Sequence, residues 1–347
     1  LDYVGLITDS IGMPSYPIVF KANGPGVVLD GNGGNNAVVL YPSNRYLQFE
    51  GFQVQNFLRS FWVFCNDVTI KNCSFSSSVD YASHVIVDPL FATGLMEGVT
   101  VEKCLFYNSI PQSGYHNCVR THGSTSGLKV FNNTFDNVHT AIVLIDWGLQ
   151  GIPGNYNYQI KNNITSNSGG ALEIYGESSG ERQFNLWYNV SNGYPSATVG
   201  EMFGQNPMYV GGGNYNLQSG SPAIDTGTDT GMLYQGKAPD RGAFESAYSR
   251  TGVTYHVRTD GNDALDGLTF ATAWKTWNRG GQLGVLKAGD TVLIEPGTYT
   301  VPGGLDYVGL ITDTVGAPDN PIVFKANGSG VVLDGNGGNN AVVLYPS

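Results

Sequence analysis

The sequence is short of charge, and most of what it has is negative. Lys and Arg total 17 against 28 Asp and Glu, a formal net charge of −11. Charged residues make up only 13% of the chain, about half of the ~25% usual in soluble domains. A nucleic-acid partner needs a basic footprint for its phosphates, and an anionic lipid surface needs the same. Neither fits. No apolar run of about 18 residues is present to cross a membrane as a helix. The four cysteines, Cys65, Cys73, Cys104 and Cys118, are too few for a scaffold held by dense disulfides. Scarce Glu, Lys and Arg also argue against long helices, whose exposed faces those residues usually fill.

What the chain has in quantity is glycine, 48 of 347 residues, roughly twice the usual share of ~7%. With 41% hydrophobic residues it can build a core, so disorder is excluded. Many turns and much β structure are expected.

Self-similarity is the decisive signal. Residues 1–43 return as residues 305–347, offset by 304, with six differences in 43 positions. Ser10, Ile11, Met13, Ser15, Tyr16 and Pro25 become Thr314, Val315, Ala317, Asp319, Asn320 and Ser329. Rungs duplicated within one solenoid normally diverge much further, so the expectation is a window on a longer tandem array of 304-residue modules.

A finer pattern lies inside the period. FEGFQV from Phe49, IKNCSF from Ile70, VEKCLF from Val101, VFNNTF from Val130, IKNNIT from Ile160 and LWYNVS from Leu186 share one form. Each precedes a second short apolar run, such as Phe61–Phe64, His84–Val87, Cys118–Thr121, Ile142–Ile145 or Leu172–Tyr175. A fixed local pattern at variable spacing suits short parallel strands stacked in a coil, with loops absorbing the differences. The fourth position of the pattern holds Phe52, Cys73, Cys104, Asn133, Asn163 and Asn189. Stacked about 4.8 Å apart, the asparagines are expected to form an inward amide ladder, which would shield the sequons at Asn163 and Asn189 from glycosylation. Cys73 and Cys104 would be stacked neighbours, close enough for a disulfide but more in keeping with free, buried thiols.

Three stretches carry a resemblance to the pectin-lyase-like right-handed parallel β-helix superfamily, in its secreted bacterial forms. Tyr255–Thr300 resembles the usual opening: a strand, a Gly/Asp loop, a capping helix and a strand ending in PGTY. Phe270, Ala273, Trp274 and Trp277 would share one face of that helix. The repeated runs are the second stretch. Asn206–Glu245, with SPAIDTGTDTG and PDRGAFE, is similar to the closing segment. The resemblance implies an all-β right-handed parallel β-helix with a short N-terminal capping helix in each module. The opening lies after the closing segment, so residues 1–247 are expected to be the body of one module without its cap. Residues 248–252 are then the junction, and 253–347 the cap and first rungs of the next module.

Enzymes of that superfamily cleave acidic polysaccharides by base-assisted β-elimination with calcium, or hydrolyse them with paired aspartates. The hydrolase pattern is missing: His122-Gly123 has no Asp-Asp pair in the preceding rungs, and an inverting pair needs carboxyls about 6.5–9.5 Å apart. If the second runs stack in register, Ile86, Arg120, Val143 and Glu173 form one outward ladder, and Asp88, His122, Ile145 and Tyr175 the next. Under a carbohydrate-active reading, Arg120, His122 and Glu173 are the catalytic candidates, with Asp88 beside them. The plainer reading is packing under a loop. Asp260, Asn262, Asp263 and Asp266 are a calcium candidate in a segment that also reads as an Asx-rich turn, and Asp225 and Asp229 are of the same kind. The expected function is a structural repeat of an extracellular or cell-surface fibre or adhesin whose partners are copies of itself. A polysaccharide-cleaving enzyme and a glycan-binding repeat that stacks sugars on exposed tyrosines are the alternatives.

Overall fold

The computed structural model describes residues 3–7, 9–77, 79–89, 94–110, 115–146, 154–193, 195–248, 252–280, 285–287, 289–301, 307–311, 316, 321–337 and 340–344. By internal contacts the chain divides into two compact units. One is built on residues 1–196 with 204–207 and 241–245, and the other holds 197–203, 208–240 and 246–347.

In the first unit the chain winds round three faces of parallel strands. One face stacks Tyr3–Ile7, Asn36–Leu40, Arg59–Val63, Ser83–Val87, Asn117–Thr121, Thr140–Ile145 and the end of Ile164–Tyr175. A second runs through Val28–Asp30, Gln53–Gln55, Ser74–Ser76, Leu105–Ser109 and Thr134–Val138 to the start of Ile164–Tyr175 and Leu186–Asn192. The third stacks Ile18–Lys21, Arg45–Glu50, Asn66–Lys71, Thr100–Glu102, Lys129–Phe131, Asn155–Lys161 and Ser178–Gln183. Parallel neighbours joined by crossovers take the right hand. The expected second runs lie on the first face, in the order read from the sequence.

The core consists of side-chain ladders. Phe20, Phe49, Ile70, Val101, Val130 and Ile160 pair in register along the third face. Phe75, Phe106 and Phe135 stack with centroids 4.7 and 4.8 Å apart. Offset stacking of that kind adds to the burial of the rings.

The corner between the third and second faces explains the short sequence pattern. Gly51, Asn72, Lys103, Asn132, Asn162 and Phe184 all have positive φ, between 49° and 83°. Gly and Asn tolerate that region, which is why the third position of the pattern favours them.

The residue after this corner points inward, where the amide ladder forms. The backbone N–H of Cys104 donates to Asn133 Oδ1, that of Asn133 to Asn163 Oδ1, and that of Asn163 to Asn185 Oδ1, each at 2.9 Å. The ladder therefore ends on Asn185. Asn189 was expected there and instead lies exposed, donating to Asn167 Oδ1. The strand register aligns Ile160 with Arg182 and Lys161 with Gln183, so the last rung reads RQFN rather than LWYN. A charged Arg182 at the apolar position conceals the pattern. The sequon at Asn163 is buried as expected, whereas that at Asn189 is on the surface. All four cysteines are free and buried. The Cys104 thiol contacts Glu102 O and Ile70 O, just as Asn163 Nδ2 donates to Lys161 O and Val130 O.

The second unit holds further parallel strands stacked in the same manner. Thr254–Val257, Thr291–Ile294 and Val323–Ala326 stack in parallel, as do Gly297–Thr300 with Val331–Asp334 and Tyr307–Ile311 with Asn340–Leu344. The expected capping helix is replaced, among the described residues, by a 3-10 turn at Phe270–Thr272 and a four-residue helix at Trp277–Gly280. Between them Ala273 is extended, and Trp274 pairs with Val257 as an added bridge of the first sheet. Backbone bonds from Trp274 N–H to His256 O and from Arg258 N–H to Trp274 O hold it there. Strand pairing thus overrides the helical spacing. Ala273, Trp274 and Trp277 are buried as expected, but Phe270 is exposed beneath the Arg258 guanidinium, 3.9 Å away. Of the expected junction, residues 249–251 lie outside the described residues.

Candidate functional site

The outward side of the first face brings together most of the residues singled out for chemistry. Register places Val39, Trp62, Ile86, Arg120, Val143 and Glu173 in one ladder, which includes the four residues expected there. In the next ladder Ile145 pairs with Tyr175, and His122 stands one rung beyond Asp88.

Asp88 is the centre of this cluster. Its Oδ2 lies 3.0 Å from His122 Nδ1 and accepts from Trp62 Nε1 at 3.0 Å. Asp88 is 3% exposed, so both contacts act where water screens little. The Arg59 guanidinium lies 4.3 Å from the Trp62 ring centroid, within cation–π range. Burial lowers the pKa of Arg59 and of Arg120 below the usual guanidinium value, and the Asp88 charge opposes that in both. The result is a carboxylate that orients one imidazole and balances two half-buried cations.

Of the three catalytic candidates, Arg120 and His122 share this cluster and Glu173 does not. Glu173 stands two rungs from Arg120 with Val143 between them, and its Oε2 accepts from the Tyr175 hydroxyl at 2.9 Å. Arg59 and Trp62 were missed by the sequence reading. The signal for them was available, because carrying the ladder of Ile86 and Arg120 one rung back lands on Trp62.

The calcium candidates are distributed among separate turns. Asp263 accepts from Lys275 N–H, Thr276 N–H and the Thr276 hydroxyl. Asn262 caps Ala264 N–H, Asp266 caps Leu268 N–H, and Asp260 takes Arg258. Asp225 does similar work in the closing segment, accepting from Lys237 and Ala238 N–H. These acids brace loops through backbone donors, and Asp229 caps Gly231 N–H in the same way.

No protein-family description and no curated protein matches the chain. Among solved structures it is similar to pectate lyase Pel9A, at 13% identity over 69% of this chain and 82% of that one, with a TM-score of 0.29. It is also similar to the PL6 family alginate lyase AlyGC, at 11% identity over 99% of this chain and 68% of that one, with a TM-score of 0.23. The fold is a parallel β-helix. That assignment stands on the strand register described above, rung by rung, and not on the scores.

Gly5, Ile7, Phe20, Leu29, Val38, Phe49, Phe52 and Phe61 line a wholly apolar hollow of about 230 Å³ at the first rung of the first unit. The same rung occurs again in the second unit with the same register: Tyr3, Gly5, Leu6 and Ile7 pair with Asn36, Val38, Val39 and Leu40, and Tyr307, Gly309, Leu310 and Ile311 with Asn340, Val342, Val343 and Leu344. There the surface is covered. A Cβ built on Gly309 would meet the Trp277 ring at 3.0 Å, and Phe324 lies 6.4 Å from Trp277 in a stacked arrangement.

Proposed function

We propose that the chain carries a structural repeat module of an extracellular or cell-surface fibre or adhesin, in which β-helix modules follow one another head to tail. The observation that carries this reading is the rung present twice in one register, with Trp277 packed against Gly309 in the second copy. Residues lining the hollow are repeated without change: Gly5, Phe20, Leu29 and Val38 recur as Gly309, Phe324, Leu333 and Val342. Among the six positions that differ, Ile11, Met13, Ser15, Tyr16 and Pro25 are exposed in the first copy. What is kept is the surface that another rung must fit, and what varies faces solvent. In this reading a segment like 253–304 precedes 1–43, and each module runs as 253–347 followed by a sequence like 44–247, with 248–252 as the junction to the next. An array needs many equal units, and the 43 residues that recur 304 positions apart with six differences are what such units would share.

A second reading, an enzyme cleaving acidic polysaccharide, draws on Arg59, Arg120 and the Asp88–His122 pair on the first face. The cations would hold a uronate carboxylate. Against it, Val143 and Ile145 occupy the same ladders and Glu173 stands apart.

The deciding experiment is electron microscopy of the native material with the mass of the intact chain. Filaments with an axial repeat of one module, or a chain several times 37 kDa, are expected. A discrete particle of about 37 kDa that releases unsaturated uronates from acidic polysaccharides overturns the structural reading in favour of the second.

A further inference from the structure

Inside the coil, three metal-ligating side chains that the module reading leaves unused lie together. His84, His116 and Cys118 are each 0% exposed, and their ligand atoms all lie within 4.8 Å of one another. Cys118 sits one rung beyond His84, because Ser83 pairs with Asn117 and Val85 with Val119. His116 precedes it by two residues at the entrance to the same strand, and the two imidazole centroids are 4.8 Å apart.

Packing alone does not account for the cluster. Rungs on either side place small residues at this position, Ala37 and Ser60 before it and Ala141 and Ala171 after it. His84 is satisfied: its Nδ1 lies 3.0 Å from Ser60 Oγ and its Nε2 2.8 Å from Ser109 Oγ. His116 is not. Both of its ring nitrogens are buried without a hydrogen-bond partner. Buried polar groups are almost always paired, and an orphan costs about 1–3 kcal/mol, so a nitrogen lone pair left in this place asks for a ligand.

We propose that His84, His116 and Cys118 form a buried site for one soft monovalent metal ion, copper(I), taken up as the chain folds. Donor type and charge both select this ion. A thiolate with imidazoles suits soft and borderline metals. With one thiolate as the only anionic donor, copper(I) leaves the site neutral, whereas zinc(II) would leave an unbalanced positive charge in the core, which is costly. The balance is simple: the Cys118 S–H bond breaks, a Cu–S bond forms, one proton leaves to solvent, and no electron is transferred. For bonds of about 2.0–2.3 Å the donor atoms must close to roughly 3.5–4 Å, a movement of up to about 1 Å by side-chain rotation. His84 gives up one serine hydroxyl and keeps the other, which orients the ring from behind. With no exposed donor, loading has to accompany folding.

The test is to refold the full chain from denaturant, anaerobically, with the copper(I)–bicinchoninate complex as donor, and to measure bound copper and thermal stability. Wild type is expected to take one equivalent per chain and to melt at a higher temperature than the metal-free protein. Cys118→Ala, which only extends the ladder of Ala141, should fold and lose that uptake. His116→Leu should weaken binding by at least tenfold. The double variant Cys73→Ala/Cys104→Ala controls for the other thiol pair and should bind as wild type. No copper on refolded wild type, equal uptake by Cys118→Ala, loss of uptake in the Cys73/Cys104 variant alone, or tighter binding of zinc(II) than of copper(I) would each overturn the proposal. None of these results depends on whether the native material forms filaments.

Discussion

Asn163 shows how much a single side chain does in this coil. Its Oδ1 accepts from Asn133 N–H and Asn133 Nδ2, and its Nδ2 reaches Val130 O, Lys161 O and Asn185 Oδ1. Removing it leaves several buried backbone groups without partners, at about 1–3 kcal/mol each, in a network whose members polarise one another. Asn163→Ala should therefore lower stability by at least about 2–3 kcal/mol in urea denaturation, and more than Asn189→Ala, which loses a surface contact and places Ala at a positive φ. Glu102 offers a test of opposite sign. Burial raises its carboxyl above the ordinary value, against the pull of Lys71, Lys103 and Lys129. The folded state thus holds its proton more tightly than the unfolded chain, whose value is near 4.5. Stability from this group is full below that value and is lost as pH rises through the folded one. Glu102→Gln should be more stable than wild type at pH 7, and the gap should close below about pH 4.5 when unfolding midpoints are compared.

At the scale of an element, the segment from Ala273 to Gly280 departs most from expectation. Its apolar spacing fits a helix, yet Trp274 is drawn into the sheet beside Val257 and only Trp277–Gly280 is helical. A sheet edge offers backbone partners that a short helix cannot match. Trp277 then caps the repeated rung, and its indole N–H has no hydrogen-bond partner. Trp277→Ala should cost about 3–5 kcal/mol, as for other buried Trp truncations. Trp277→Phe should cost distinctly less, because it keeps a ring over Gly309 and removes the orphan donor. Hydrogen exchange of the Thr291–Ile294 amides would rank the two variants.

For the whole molecule, the useful experiment is to change the order of its parts. A chain of residues 253–347 followed directly by 44–252 is expected to unfold in one cooperative transition, and to bind less of an apolar dye than the chain in its present order. Two separate transitions and undiminished dye binding would show that the opening rungs do not continue into the body.

The residue pattern by itself determined the coil, its repeated six-residue pattern, the outward ladder of Ile86, Arg120, Val143 and Glu173, and the 304-residue period. These are local or strictly repeated features, so spacing along the chain carries them. Tertiary structure alone decided the rest. Arg182 hid the last rung, and only strand pairing revealed that Asn185, not Asn189, completes the amide ladder. Sheet pairing overrode the helical spacing at Trp274. The meeting of Trp62 with Asp88, and of His84 with His116 and Cys118, depends on how far each loop advances the chain before the next strand begins. Loop length varies freely from rung to rung, and only stacking turns it into register.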